Sequence, residues 1–355
     1  MTRRARRLLA WAAVGLAFGA GTSVAVADSP PQYRVTRTVP LGAPDRWDYV
    51  VFDPSSKRVY VAHGDQVTVV DGAKGDILGK VTGLAGGTHG IALVGAVGRG
   101  YTDDGQAGEA ASFDLTSLAV TGRIKAADDA DAIAFDAHSG HVFVINGDTG
   151  TITVIDPKTN SSVATIQAGG KLEYAVADGS GKLYVNGAGK QEVLRVDTAS
   201  NQVEARWPVP ECTSPHGLAI DPVTRRLFVS CLNKLLVVVD ADGGKVITRV
   251  PIGAGSDAAV FDPKRKLIFS SNGIDGTLSI IRENSANSFT ALNDVKTART
   301  ARTMGIDPAT GRLYLAAADI KPDPAEGATP TTGGPPRRPP LVPGSLKLIF
   351  LDPID

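Results

Sequence analysis

Cysteine is almost absent from this chain, with two in 355 residues. Two cysteines exclude a disulfide scaffold, and the lack of CxxC and CxxCH excludes a thioredoxin-like redox motif and covalent haem attachment. Several catalytic signatures are missing as well. There is no HExxH, no P-loop, no Gly-x-Ser-x-Gly elbow, and no GxGxxG set between a strand and a helix. Nucleotide hydrolysis and serine-hydrolase chemistry are therefore set aside. No stretch approaches about 20 unbroken apolar residues, so no membrane span is expected in the mature chain. An excess of one charge is lacking too: 37 basic residues face 37 acidic ones.

Residues 1–27 read as a secretory signal peptide. Arg3, Arg4, Arg6 and Arg7 precede an apolar stretch from Leu8 to about Gly21, and Ala25-Val26-Ala27 is a small-x-small cleavage signal. The mature chain should begin near Asp28 and be periplasmic or secreted; the paired arginines leave both the general and the twin-arginine routes open. Removing the leader leaves 33 basic against 37 acidic residues. That balance argues against nucleic acid, whose affinity comes from phosphate neutralisation. Mass spectrometry of exported protein checks the cleavage: a mature N-terminus near Asp28 is expected, and an intact Met1 would refute it.

What is present is a phrase that returns every forty-odd residues: an apolar run ending in Asp, a turn with Lys or Arg, then an aromatic-centred strand. It reads VVFDPSSKRVYVA at Asp53, IAFDAHSGHVFVI at Asp136, VADGSGKLYVN at Asp178, LAIDPVTRRLFVS at Asp221, AVFDPKRKLIFSS at Asp262 and MGIDPATGRLYLA at Asp307. IALVGAVGRGYTD, without the Asp, fills the one double gap. A second phrase in most repeats ends at Asp71, Asp114, Asp156, Asp197, Asp240 and Asp352, and blade six has Arg282 instead. Gly75, Leu118, Asn160, Asn201 and Gly244 follow four residues after the first five of these and read as tight turns. Four short strands per repeat and seven repeats predict an all-β, seven-bladed β-propeller with antiparallel blades, which closes without exposed edges. The chain ends on the third strand of blade seven, and Tyr33–Leu41 reads as the missing fourth. Residues 28–355 are thus expected to form a single domain, with the ring closed by an N-terminal strand.

FDPSSKRVYVAHGDQVTVVD, FDAHSGHVFVINGDTGTITVID and IDPVTRRLFVSCLNKLLVVVD resemble the YVTN-repeat propellers, the YncE-like family of exported bacterial proteins. The resemblance covers roughly residues 33–355. It implies the fold and an exported location, but no shared catalytic motif. Blade two (GAVGRGYTDDGQAGEAASFD) departs from the pattern, as does blade six at Arg282.

The repeating Asp residues read as turn punctuation, since Asp-Pro suits a type I turn. Lys57 and Arg226 read as solvated turn residues, and Tyr60, Phe143, Tyr184, Phe228 and Tyr314 as packing between blades. A varying column is more informative. Five residues before each repeat Asp, or its blade-two equivalent, stand Asp48, His89, Asp131, Glu173, His216, Asp257 and Arg302. All seven are ionisable, and radial symmetry brings them to one channel mouth. Polar residues in a water-filled channel can be idle. Clustered charges and imidazoles can equally form a binding or catalytic ring, and His89, His216, Asp131, Glu173 and Asp257 are a donor set for one divalent metal ion. His63, Asp104, Asn146, Gly187, Cys231, Asn272 and Ala317 are expected as a second polar shell on that face. Cys212 and Cys231 are expected to form a disulfide, with a Cys212, His216, Cys231 metal set as the alternative. The Pro-rich insertion 319–344, with Arg337 and Arg338, is either a lid over the mouth or a surface tail held at both ends.

The functional expectation is an exported, monomeric propeller that binds a small-molecule or protein/peptide ligand at the polar channel mouth. The alternative is a metal-assisted lyase or hydrolase with His89 or His216 as general base. A purely structural envelope role would leave the ring idle.

Overall fold

Every repeat phrase becomes a pair of antiparallel strands meeting at its Asp turn, with two more strands outside them. The computed structural model describes residues 32–322 and 340–354, so the signal segment and Arg337 and Arg338 lie outside the described residues. In blade one the inner strand Val50–Asp53 pairs with Arg58–His63, then come Gln66–Asp71 and Ile77–Val81. The same four-strand order recurs in blades two to five, with inner strands Ile91–Val94, Ala130–Asp136, Ala175–Ala177 and Pro215–Asp221. In blade six, Thr277–Ser285 overruns and pairs with both Ser288–Ala291 and Val295–Lys296, so the outer edge is in two pieces. Blade seven is closed as expected: Gln32–Pro40 pairs with Lys347–Ile354, from Gln32 opposite Ile354 to Pro40 opposite Lys347. Among the described residues no helix is long and apolar enough to cross a membrane.

Burial explains the two kinds of apolar pattern. The two middle strands of a blade are covered on both faces by neighbouring blades and read as continuous apolar runs, as in Gln66–Asp71. The outer strand has one face in solvent, and Gln202–Pro208 alternates residue by residue between exposed and half-buried. The aromatic column has seven members, because Tyr101 and Phe269 join the five legible in the phrases, and all are essentially inaccessible. Three of its phenols donate to the outer turn of the next blade: Tyr101 to Asn160 Oδ1, Tyr184 to the Ala241 carbonyl and Tyr314 to the Gly72 carbonyl, each at 2.9 Å. These bonds peg one blade to the next and satisfy an otherwise buried hydroxyl.

The Asp residues are indeed turn fasteners. Asp53 Oδ1 accepts from the Ser55 N–H at 2.9 Å, and Asp221 and Asp307 do the same at Val223 and Ala309. The Asp53, Asp221 and Asp262 turns are each released by a left-handed residue: Lys57, Arg225 and Lys266 have φ of 60°, 57° and 54°. Not all of the turn cations are solvated as expected. Arg225 reaches back to the buried Asp178 of blade four at 2.7 Å, and Lys266 to the buried Asp221 of blade five at 2.7 Å. Arg226 is also buried, with Nε donating to the Ala286 carbonyl and a guanidinium nitrogen 3.0 Å from Asp240. At Arg225 and Lys266 the neighbouring carboxylate is out of water, and the paired cation keeps it from standing buried and uncompensated.

Lys57 has no such carboxylate partner among the described residues, so Lys57→Gly should relieve the left-handed strain and leave stability unchanged or higher by about 0.5 kcal/mol. Arg225→Gly relieves the same strain but strands Asp178, and should cost about 2 kcal/mol. Urea denaturation of the two variants tests the contrast, and equal effects would refute it.

Candidate functional site

The seven varying residues do converge. Asp48, His89, Asp131, Glu173, His216, Asp257 and Arg302 all line one cavity of about 540 Å³ at the channel mouth. Their side chains are between 14% and 25% exposed, neither free in solvent nor sealed away. Each sits where its inner strand begins, so the fold delivers one side chain per blade.

Neighbours around the ring are paired by charge. Arg302 is gripped from both sides, with Nε 2.7 Å from Asp257 and Nη2 3.6 Å from Asp48. Its Nη2 also donates to the Trp47 carbonyl at 2.9 Å, and the guanidinium lies 5.3 Å from the Trp47 ring centre. His89 Nδ1 stands 3.7 Å from Asp131 and 3.9 Å from Asp103. His216 Nε2 stands 4.0 Å from Glu173, which Lys171 approaches to 3.7 Å.

Asp103 is fully buried, and its carboxylate accepts the backbone N–H groups of His89 at 2.5 Å and Gly90 at 2.9 Å. It fixes the start of the blade-two inner strand. Blade two has no turn Asp and closes that turn with a 3₁₀ segment, Gly95–Val97.

Burial and mutual repulsion keep these acids partly protonated near neutrality. Burial pushes Asp48 up to about 6, Arg302 opposing and Asp257 adding to it. Burial also pushes Asp131 up to about 7, against His89, with the Glu173 charge adding. Glu173 rises to about 7 by burial, with Lys171 opposing, and Asp103 to about 8 by burial, with His89 opposing. For His89, burial pulls downward, but the carboxylates of Asp103, Asp48 and Asp131 outweigh it and the net shift is upward. Acids raised in the fold and a raised imidazole act in the same direction: the native state holds protons that the unfolded chain has released. Stability should therefore fall as pH rises from about 4, where unfolded carboxyls ionise, to about 8. A loss of roughly 1–2 kcal/mol between pH 5 and pH 8 is expected, flattened in an Asp131→Asn, Glu173→Gln variant. Thermal melts across that range measure it, and a wild-type profile rising with pH would contradict it.

The channel floor holds two residues that the sequence reading passed over. Tyr49 and Tyr174 directly follow Asp48 and Glu173, with ring centres 4.5 Å apart. The column after the ring reads Tyr49, Gly90, Ala132, Tyr174, Gly217, Ala258, Thr303. Two large residues among five small ones was the available signal. Below the ring they help to enclose an axial chamber of about 30 Å³.

The second polar column lies at the ring face as expected, but its residues are buried and brace the mouth loops. His63 Nε2 lies 2.6 Å from the Pro44 carbonyl, Asp104 accepts the Ala85 and Gly86 N–H groups, and Asn146 and Asn272 donate to Thr151 and Thr277. Cys212 and Cys231 are joined, so the Cys212, His216, Cys231 metal set does not exist. Among the described residues no three of His, Cys, Asp and Glu stand close enough together to hold a metal. His89, Asp131, Glu173, His216 and Asp257 instead make paired contacts, and Asp257 is taken by Arg302.

At the base of the Pro-rich insertion Ile320 bridges Leu341, and both line the cavity.

No family model and no curated protein matches the chain. Among solved structures it is similar to Kuenenia stuttgartiensis hydrazine synthase, with a TM-score of 0.67 and 15% identity over 76% of this chain and 92% of that one. It is also similar to a chain in the crystal structure of a mitotic checkpoint complex, with a TM-score of 0.70 and 16% identity over 96% of this chain and 98% of that one. At these identities the likeness is one of fold: the chain is a seven-bladed β-propeller.

Proposed function

We propose that this is an exported propeller of the YVTN-repeat type that binds a small ligand at the ring of its channel mouth. The observation that carries the reading is the convergence of one ionisable side chain from every blade on a single cavity of about 540 Å³, within the range of small-molecule sites. The leader-like N-terminus and the Cys212–Cys231 bond support export. Half-protonated carboxyls beside imidazoles are the kind of group whose charge a ligand can reset on binding.

The enzymatic alternative rests on His89, whose Nδ1 lies 3.3 Å from the Ala130 carbonyl with the Asp103 and Asp131 carboxylates a little further off. The metal donor set proposed with it is not assembled.

The test is a thermal-shift screen of alkylamines, dicarboxylates, monosaccharides and divalent cations. It compares the wild type with a His89→Ala, His216→Ala variant. At least one class should raise the wild-type melting temperature and leave the variant unmoved. Equal shifts in both proteins would place the function away from the ring.

A further inference from the structure

The two spaces on the channel axis differ in chemistry as well as size. The lower chamber is lined by Asp48, Asp131, Glu173 and Asp257, by Tyr49 and Tyr174, and by the imidazole-bearing His216. The cations Arg302, Arg46, Lys171 and Arg299 line only the vestibule above. At about 30 Å³ the chamber admits one group of the size of a water molecule. The vestibule has an apolar side formed by Leu232, Ile274, Ile320 and Leu341 on blades five, six and seven. Ile274 is 64% exposed and Leu232 43% exposed, although both border a polar ring.

We infer that the chamber receives a primary ammonium group and the vestibule an apolar body, so that the ligand of the ring is an alkylamine. This rests on the ring being the binding site.

The chemistry selects that group on three counts. An ammonium carries three donors, and the chamber is rich in acceptors. Its charge relieves the repulsion among four carboxyls, of which Arg302 pairs two while His89, His216 and Lys171 stand 3.7–4.0 Å from the others, whereas an anion would add to it. It is close to water in size, while a guanidinium or a quaternary ammonium is too large. A divalent metal would need three converging donors, which the ring lacks among the described residues. Above the chamber, Ile274 and Leu232 offer a methylene chain a surface that a bare inorganic cation would not use.

Isothermal titration of the mature chain with n-hexylamine, hexyltrimethylammonium, hexanoate and methylamine tests the assignment. Hexylamine should bind at least tenfold more tightly than hexyltrimethylammonium and than methylamine, and hexanoate should give no binding heat. The Asp131→Asn, Glu173→Gln variant should weaken hexylamine at least tenfold, and Ile274→Ser should narrow the gap between hexylamine and methylamine. Nα-acetyl-lysine N-methylamide separates two sources of the same chemistry: tighter binding than hexylamine assigns the amine to a protein lysine, weaker binding to a free amine. Hexanoate binding as well as hexylamine, or hexylamine affinity unchanged in the carboxamide variant, would overturn the inference. Should that variant fail to fold, the ranking of the four probes on wild-type protein decides alone. A different probe that binds wild type but not the His89→Ala, His216→Ala variant would leave the ring as the site and remove only the amine.

Discussion

Alanine at both Gly90 and Gly217 is expected to cost about 4 kcal/mol, from roughly 1–3 kcal/mol at each site. These glycines follow the two ring histidines, and each lies against the backbone of the next blade. A Cβ on Gly90 would stand 2.3 Å from the Ile133 nitrogen, and one on Gly217 2.4 Å from the Ala259 nitrogen. Neither obstacle is a side chain that could swing away, so blade two must move off blade three, and blade five off blade six. The sites are three blades apart, so their costs should add. Gly95→Ala is the control: a Cβ there meets nothing within 4 Å, and stability should stay within about 0.5 kcal/mol of wild type. Urea denaturation of the double variant measures the effect. A loss below about 1 kcal/mol would mean that the blades are not pressed together at the ring.

The second large effect is expected from the disulfide. Cys212 and Cys231 are fully buried and separated by 19 positions. Closing a loop of that length is worth about 3 kcal/mol of chain entropy in the unfolded state. The bond ties the approach to blade five onto the second strand of that blade, and His216 lies four residues beyond Cys212. Around it the Thr213 N–H donates to Asn233 Oδ1 at 3.0 Å, and the Cys212 N–H to the Val209 carbonyl at 2.9 Å. Cys212→Ala, Cys231→Ala protein should lose about 3 kcal/mol and show faster hydrogen exchange at those two amides than oxidised wild type. Unchanged stability would show that these side-chain and backbone bonds hold the segment without the covalent link.

The architecture was legible because a propeller repeats its punctuation. Each Asp turn closes locally, so its residues must be spelled out in every copy. The ring was legible for the opposite reason: at Asp48, His89 and Arg302 the pattern fixes the position but leaves the side chain free to differ. What could not be read was direction and depth. Asn146 and Asn272 lie at the end of the second strand on the ring face, as expected, yet they are buried and turn inward to threonines. Asp103 was hidden beside Asp104, since spacing does not tell which of two adjacent acids turns to the His89 and Gly90 amides. Arg226 looks like any turn cation, and only the unusual outer edge of blade six explains its burial. The grip of Arg302 on Asp257 and Asp48 depends on rotamers, which spacing does not encode.

The seam in blade seven bears on how the molecule would respond to being pulled. Gln32 is registered opposite Ile354, so the two ends of the described chain leave the same corner of one sheet. Tension between them would load the Gln32–Pro40 ladder one rung at a time, as in a zip, rather than all rungs together in shear. Strands that neighbour each other within the other blades are close in sequence, and this pair joins the first described strand to the last. Ring opening under load should therefore begin at Gln32 and Ile354 at low force, while the channel mouth, framed by inner strands, yields only after the outermost strand has peeled away.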